Sequence, residues 1–356
     1  MTVTPLLPEW AQSDPKSNVR HAVRRIDWSG PADIAKPLPP VSYLVDGLRI
    51  AKGAPLLMAG PSFIGKTAIA QSMMLSLAAG VPVFGVFRCS PCTVLHVDLE
   101  QGRDLTYRRY QRFARGTGVD LLALEDRLRV AIKPIVRLDS DDAEDVYCRA
   151  LEGVDFAVID CLRAAAPTAD ENSSDVRQWI DLLDRVGEKT GTVVALIHHM
   201  KKPSPNAPEG ARNAIRGSSA IFDACGAVFA FTGEKGQPAR VHHEKERTKG
   251  ILMEDFGLRI EDVELDGVRD AGLRVVHMEP EQLDAAEVGD PKIANNVERL
   301  RAFFRATPLH HGNRKALRSL VGMKGDAFSA ALSVLESRGE VVAEEGPALR
   351  WVGSTR

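Results

Sequence analysis

The feature that most constrains this chain is the octapeptide Gly60-Pro-Ser-Phe-Ile-Gly-Lys-Thr67, which fits the spacing G-x-x-x-x-G-K-[ST] at every position. The apolar run Leu56–Ala59 precedes it and is typical of a buried strand. Residues 66–79 carry apolar side chains at helical spacing, and Gly80 marks the end of that helix. A glycine-rich turn between a strand and a helix directs backbone amides and a helix N-terminus to one point. The octapeptide therefore predicts a phosphate-binding loop in an α/β fold.

The chemistry of this loop predicts that the bound group is a nucleoside triphosphate. Gly60 and Gly65 allow the backbone to wrap around the β-phosphate. Lys66 is expected to reach the β- and γ-phosphates, and the Thr67 hydroxyl is expected to be a ligand for Mg²⁺. ATP and Mg²⁺ are therefore the predicted cofactors. The residues predicted to contact the nucleotide are Gly60, Pro61, Ser62, Phe63, Ile64, Gly65, Lys66, Thr67 and Ala68.

A second motif, Phe156-Ala-Val-Ile-Asp160, is an apolar strand that ends in a carboxylate. A carboxylate at this point can lie beside the Mg²⁺ and hold it through a water molecule. The alternative is an aspartate that only caps a loop. Together with the phosphate loop, the pattern favours Asp160 as a metal-site residue alongside Thr67.

The order of elements predicts the fold class. From about residue 41, short apolar runs alternate with longer helical patterns, which indicates an α/β domain with a mostly parallel sheet flanked by helices. After Gly226, strand-like segments follow near 227–232, 239–245, 251–264 and 272–278 without long helices between them. These segments predict an antiparallel extension of the same sheet.

Composition shifts suggest four parts. We predict a flexible N-terminal segment over 1–38, an ATPase domain over 39–280, an acidic linker over 281–292 and a small C-terminal domain over 293–356. The C-terminal part shows three helical patterns followed by two short strand-like runs around Gly346-Pro347. This order resembles a winged helix, a variant of the helix-turn-helix.

The amino-acid composition excludes few functional classes. Lys and Arg number 46 against 48 Asp and Glu, so a net charge of −2 neither favours nor excludes nucleic acid. No apolar run approaches the roughly 18 residues of a membrane span, and residues 1–10 do not resemble a signal peptide. We therefore expect a cytoplasmic protein without a membrane partner. Five cysteines argue against a disulfide framework, and Cys89-Ser-Pro-Cys92 is interpreted as a turn rather than a metal or redox site.

The segment Val94-Leu-His-Val-Asp-Leu-Glu100 resembles the second strand of RecA-like ATPases, which ends in the glutamate that activates the attacking water. Within that group the chain is most similar to RepA-type hexameric helicases and their DnaB relatives, over about residues 40–265. A carboxylate one strand away from the phosphate loop can polarise a water in line with the phosphate. Glu100 is favoured for this role, and Asp98, two residues earlier on the same strand face, is the rival.

The resemblance also implies a residue that senses the γ-phosphate. RecA-like enzymes carry a polar residue at the end of the next strand, and the RepA-type branch has histidines there. Ile197-His-His-Met-Lys-Lys202 supplies two of them. His199 is the favoured sensor, His198 is second, and two loop histidines without a task are the alternative.

Two segments resemble sources of an arginine that acts on the nucleotide of a neighbouring subunit. Ala214-Ile-Arg216 resembles the RepA-type segment, and Lys245-Glu-Arg247 resembles the K-x-R pair of DnaB-like and RadA-like ATPases. Arg216, Arg247 and Lys245 are therefore candidate catalytic residues, because a guanidinium stabilises charge on the transferred phosphoryl group. The sequence leaves the choice between Arg216 and Arg247 open. Either could be an ordinary surface arginine.

Nucleic-acid partners are suggested by local clusters. Residues 200–216 contain Lys201, Lys202, Arg212 and Arg216 against one acidic residue, Glu209, and would suit backbone contacts to single-stranded DNA. The companion stretch, 163–175, is acidic. The C-terminal domain could dock on duplex DNA or on replication partner proteins.

Three hypotheses follow from these motifs. The leading one is an ATP-hydrolysing homo-oligomeric ring, hexameric by resemblance, that acts on single-stranded DNA as a replicative helicase of a plasmid, phage or integrated element. The second is a RecA-like ATPase for recombination or repair. The third is an ATP-switched regulator whose C-terminal domain binds DNA.

Overall fold

The computed structural model describes residues 28–38, 40–52, 54–167, 176–199, 219–283, 291–310, 313–337, 339–344 and 348–352. Its contacts divide the chain into two units, residues 1–40 and residues 41–356. In the first unit, helix α1 (Pro31–Ile34) begins with a proline, whose fixed φ suits the first helical position. Trp28, Ile34 and Leu38 of this unit are exposed.

The second unit is built on a nine-stranded sheet, whose strands from one edge to the other are β11 (Val268–Met278), β10 (Phe256–Leu265), β9 (Ala239–Glu246), β8 (Ala227–Thr232), β3 (Leu56–Gly60), β7 (Val193–His199), β6 (Phe156–Asp160), β4 (Val94–Asp98) and β5 (Leu128–Ile132). Six neighbouring strands, β8 to β5 in that order, run parallel, and β9, β10 and β11 continue the sheet antiparallel. This confirms the predicted fold class, including the antiparallel extension. A separate two-stranded sheet pairs β1 (Tyr43–Val45) with β2 (Ile50–Ala51).

Helices cover both faces of the large sheet. They are α2 (Lys66–Ala79), α3 (Arg103–Thr117), α4 (Ala143–Ala150), α5 (Leu162–Ala165), α6 (Arg177–Thr190) and α7 (Ser219–Ala224), with 3₁₀ turns at Asp46–Leu48 and Leu122–Arg127 and a helical turn over 280–283. Successive residues of β3 enter opposite cores, since Leu56 and Met58 belong to one and Leu57 and Ala59 to the other. A strand buried on both faces is what a parallel sheet between helical layers requires.

The antiparallel extension packs against α2 and α3 through β11. Gly116 of α3 lies against β11 so closely that a Cβ there would come within 2.6 Å of the backbone nitrogen of Leu273. On the other side of this contact, a Cβ at Gly272 would lie 2.8 Å from the Cα of Gly116. Because the sheet lies on one side of α2 and its extension on the other, most of α2 is buried.

The C-terminal part has its own apolar core, which includes Val297, Leu300, Phe304 and Leu332. It consists of α8 (Pro291–Ala306), β12 (Leu309–His310), α9 (Arg314–Val321), α10 (Gly325–Ser337), β13 (Val341–Ala343) and β14 (Leu349–Trp351). The strands pair in the order β12-β14-β13. The C-terminal part is therefore helical with a small sheet, whereas its resemblance to a winged helix and the domain boundaries stay predictions.

Candidate functional site

The phosphate loop begins where β3 ends, between β7 and β8. A Cβ at Gly60 would lie 2.8 Å from the carbonyl oxygen of Phe231, and one at Gly65 would lie 2.5 Å from Cδ1 of Ile260. Gly65 also has a φ of +93°, which side chains disfavour. Both positions therefore need glycine, one for a close strand and one for the turn into α2. Phe63, at the tip of the loop, is 80% exposed.

Lys66 is buried at the base of this loop. Its Nζ donates to the carbonyl oxygens of Gly60, at 2.8 Å, and Pro61, at 2.7 Å. Burial lowers the pKa of Lys66 to about 8, and the negative charge of Asp160 opposes that shift. The loop thus holds a largely protonated ammonium in a poorly solvated place, where its attraction for an anion is strong.

Asp160 ends β6 and is fully buried. Neither carboxylate oxygen has a hydrogen-bond partner of good geometry in the described part of the chain. Burial raises the pKa of Asp160 to about 6, assisted by the charges of Glu100 and Asp98, while the nearby Thr67 hydroxyl acts in the opposite direction. A buried carboxylate that lacks hydrogen bonds of good geometry is costly, and a divalent cation bound there would offset that cost. Thr67 and Asp160 therefore fit the oxygen-ligated Mg²⁺ predicted for them.

Asp98 and Glu100 have different surroundings. The buried carboxylate of Asp98 accepts hydrogen bonds from the backbone amides of Glu100, Gln101 and Gly102 and from the hydroxyl of Thr106. These bonds hold the pKa of Asp98 below its ordinary value although burial opposes them. Asp98 therefore anchors the start of α3. The side chain of Glu100, by contrast, is 46% exposed, which leaves its carboxylate accessible to a water molecule.

His199 connects the phosphate loop to Glu100. It is the last residue of β7 and lies beside Gly60 in the sheet register. Its Nδ1 is 3.4 Å from Nζ of Lys66, and its Nε2 is 3.5 Å from Oε2 of Glu100. His198 is buried, and burial lowers its pKa to about 4. The structure thus links Lys66 to Glu100 through the two ring nitrogens of His199.

Comparison with known families agrees with this geometry. Residues 20–205 match the AAA_25 family model, described as an AAA domain. The matched stretch is just over half of the chain and contains the phosphate loop, Glu100, Asp160 and His199. The chain belongs to the AAA_25 family. It is accordingly a P-loop ATPase of RecA-like type. No curated protein matches the sequence.

In this AAA_25 protein, a hydrogen-bond network around Arg109 adjoins the site, and the sequence alone does not predict it. Arg109 of α3 donates to Oε1 of Gln71 on α2 at 3.0 Å and to Oε1 of Gln101 at 2.7 Å. Burial lowers the pKa of Arg109, and the charges of Asp160 and Asp98 oppose this. The network ties α2 and α3 to the bend that carries Glu100. The basic run over 103–115 is visible in the sequence, but helical spacing alone does not single out one of its arginines.

Lys245 and Arg247 lie at the other end of the sheet. Nζ of Lys245 donates to the carbonyl oxygens of Phe222, at 2.8 Å, and Asp223, at 2.9 Å. The Arg247 guanidinium donates to the carbonyls of Asp223 and Ala224. Both side chains therefore cap the C-terminal end of α7.

The sheet register shows how far this cap is from the phosphate loop. Glu246 is paired with Ala227, which is paired with Leu56 at the start of β3, whereas the loop follows Gly60 at its end. At the usual rise per strand residue the two ends of β3 are about 13 Å apart. The structure thus separates Lys245 and Arg247 from the phosphate loop of their own chain.

Several predicted residues lie outside the described part of the chain. These are Arg216, with the neighbouring basic residues of 200–218, and most of the acidic stretch that follows β6. Their roles stay predictions. No helix in the described residues is long and apolar enough to cross a bilayer.

Proposed function

We propose that this AAA_25 ATPase is a ring-forming motor that couples ATP hydrolysis to movement on single-stranded DNA, as a replicative DNA helicase of a plasmid, phage or integrated element. The observation that carries the proposal is the pair of contacts by which His199 connects Lys66 to Glu100. A phosphate-binding lysine, a strand-end histidine and an accessible glutamate in this order are the parts of a site that hydrolyses the terminal phosphate rather than only holding it.

In the proposed reaction, Lys66 exchanges its loop carbonyls for phosphate oxygens of ATP. Glu100 accepts a proton from the attacking water, as a general base in line with the phosphate. His199 is adjacent to both and hydrogen-bonds the γ-phosphate or an ordered water, so that the two events are linked. Thr67 and Asp160 would hold Mg²⁺, which would supply positive charge to offset the charge of the phosphates.

A neighbouring subunit is proposed to complete the site. Lys245 and Arg247 lie about one strand length from their own phosphate loop. A pair of cations at the far end of the sheet is suited to a neighbour's nucleotide rather than to its own. Arg216 remains the alternative source of the guanidinium. Either arrangement makes hydrolysis depend on assembly, for which we propose a homo-oligomeric ring, hexameric as in RepA-type helicases.

DNA contacts are proposed for the basic stretch 200–216 and for the C-terminal part. On the latter, Lys315 at the start of α9 and Lys324 just before α10 are exposed. Exposed cations beside a short helix pair suit a DNA backbone, and a replication partner protein is the second proposed ligand for this part.

Hydrolysis and strand separation, measured on one preparation, test the proposal. We expect single-stranded DNA to stimulate ATP hydrolysis and a forked duplex to be separated in the presence of ATP. Lys66→Ala should abolish both, whereas Lys52→Ala should change neither, because Lys52 is an exposed lysine paired with Asp155. DNA-independent hydrolysis by a monomer would contradict the motor. If single-stranded DNA stimulates ATP hydrolysis without strand separation, and the protein forms filaments, a recombination ATPase would replace the helicase as the proposed function.

A further inference from the structure

Three side chains of different chemistry converge beside the proposed hydrolysis site. Cys161 follows β6, Glu100 follows β4 and His199 ends β7, and each offers a donor atom within 4.8 Å of the other two. Thiol sulfur, imidazole nitrogen and carboxylate oxygen are the three ligand types of protein zinc sites. Nothing in the proposed hydrolysis uses Cys161.

We propose that Glu100, Cys161 and His199 form a binding site for a thiophilic divalent cation, with Zn²⁺ as the ion that fits, and that its occupation stops ATP hydrolysis. The site is distinct from the proposed magnesium site. Mg²⁺ prefers oxygen ligands, which Thr67 and Asp160 provide, whereas the sulfur and nitrogen of the trio select a softer ion.

The distances favour this ion. Zinc bonds to nitrogen and oxygen of about 2.1 Å in a tetrahedron separate the two donor atoms by about 3.4 Å. The Nε2 of His199 and the Oε2 of Glu100 are already 3.5 Å apart. In a tetrahedral zinc site the sulfur lies about 3.6 Å from a nitrogen or oxygen ligand. The Cys161 sulfur lies within 4.8 Å of the other two donor atoms, so it needs to move closer by roughly 1 Å at most. Glu100 and His199 are 46% and 34% exposed, so both side chains have room to move.

Three protein ligands leave one tetrahedral position for water. Binding at Nε2 places the imidazole proton on Nδ1, so Nδ1 can no longer accept from Nζ of Lys66, 3.4 Å away, and that contact is lost. Lys66 keeps its two carbonyl acceptors in that arrangement. The thiol proton of Cys161 is released to solvent when the sulfur binds the metal, so binding should liberate a proton.

Inhibition follows from the identity of one ligand. Zinc withdraws electron density from the carboxylate that it binds, so Glu100 becomes a much weaker base and no longer serves as the proposed general base, while the phosphate loop is left intact. The metal site itself does not depend on the proposed function, whereas the inhibition rests on it.

Cobalt titration of the metal-free full-length protein tests the site without nucleotide or DNA. We expect one equivalent of Co²⁺ to produce a thiolate-to-cobalt charge-transfer band in the near ultraviolet, and Zn²⁺ to remove it. Cys161→Ser should abolish the band. It should also weaken zinc binding by more than the roughly 10- to 100-fold that loss of an outer-shell partner costs. Cys148→Ser, a change in a half-buried thiol on α4, should preserve both.

Two further variants keep the test decisive if Cys161→Ser folds poorly. Glu100→Gln, at an exposed position, should also weaken zinc binding, whereas Cys89→Ser should not. Absence of the band in the unmodified protein would overturn the proposal. So would a band that survives Cys161→Ser or is lost in Cys89→Ser. A protein that binds cobalt as expected but hydrolyses no ATP would contradict the proposed function and leave the metal site standing.

Discussion

Asp98 and Glu100 are two positions apart and carry the same functional group, yet their surroundings give them different chemistry. Four donors surround the buried carboxylate of Asp98, while Glu100 faces His199 and solvent. A carboxylate that already accepts several hydrogen bonds is a weak base, because those bonds stabilise its charged form. The residue that holds the bend in place is therefore different from the residue that can act on water.

Paired substitutions separate the two roles. Glu100→Gln should leave nucleotide affinity nearly unchanged and lower ATP turnover by about 10²- to 10⁴-fold, the usual contribution of a general base. Asp98→Asn should instead lower the free energy of unfolding by about 1–3 kcal/mol, because an amide nitrogen would face backbone N–H donors. Turnover, nucleotide binding and chemical denaturation measure the three quantities. Normal turnover in Glu100→Gln would show that another group activates the water.

Asp160 should make the metal-free protein less stable as the pH rises. Its folded pKa is about 6 against an ordinary 3.8, so the folded state holds the extra proton between these values. Stability from this group is therefore present below about pH 4 and is lost as the pH rises through about 6. The loss is about 3 kcal/mol, since the shift from 3.8 to about 6 is about two pKa units and each corresponds to about 1.4 kcal/mol.

The measurement is the difference in unfolding free energy between Asp160→Asn and the unmodified protein. It should grow from pH 4 to pH 7 in favour of the variant. Taking the difference removes the opposite contribution of His96, His198 and His243, whose pKa values burial lowers to about 4. Mg²⁺ with ATP should raise the melting temperature of the unmodified protein more than that of Asp160→Asn. A flat difference across this range would show that Asp160 titrates normally.

At the scale of elements, the helices and strands whose two ends carry local sequence signals are predictable from the sequence. Helix α2 was predicted with the bounds it has, because Gly65 and Gly80 adopt left-handed conformations at its two ends. β11 was predicted only from residue 272, whereas it begins at Val268. Its first residues are mostly exposed and are held by pairing with β10, which no local pattern reports. The sequence does not predict the short helices α5 and α7, because four and six residues are too few to show a helical repeat.

The candidate site likewise contains residues that the sequence predicts and contacts that it does not predict. The local sequence predicts the phosphate loop and Asp160, since each depends on one strand and the turn after it. The contact of His199 with both Lys66 and Glu100 depends on the order β3-β7-β6-β4, and the Arg109 network depends on α3 packing beside α2. Sequence spacing does not contain this information, so the sequence predicted site residues but not their partners.

Gly116 should be essential to the contact between α3 and β11. Gly116→Ala would place a Cβ within 2.6 Å of the backbone nitrogen of Leu273, and backbone cannot move aside cheaply. We expect a loss of about 2–3 kcal/mol in unfolding free energy, within the range of overpacking substitutions. Gly325→Ala is the control, because there the Cβ would meet only the end of the Arg318 side chain. Equal stability of the two variants would refute the close packing.

At the scale of the whole molecule, the phosphate loop and the Lys245–Arg247 pair occupy opposite ends of one sheet. Arg247→Ala should lower ATP turnover with little change in nucleotide affinity, because the proposed contact is with a neighbour's transferring phosphate. Arg247 also caps α7, so its loss should reduce stability modestly. Lys249→Ala, at an exposed neighbouring position, is the control. If Arg247→Ala and Arg216→Ala both turn over normally, catalysis shared between subunits is wrong.

The most direct test of the central claim is ATP turnover per chain across a range of protein concentrations, with and without single-stranded DNA, alongside the mass of the assembly in the same solutions. A site completed by a neighbour predicts that turnover per chain rises in step with oligomer formation and rises further with DNA. A monomer that hydrolyses ATP at one constant rate per chain, with or without DNA, would contradict it.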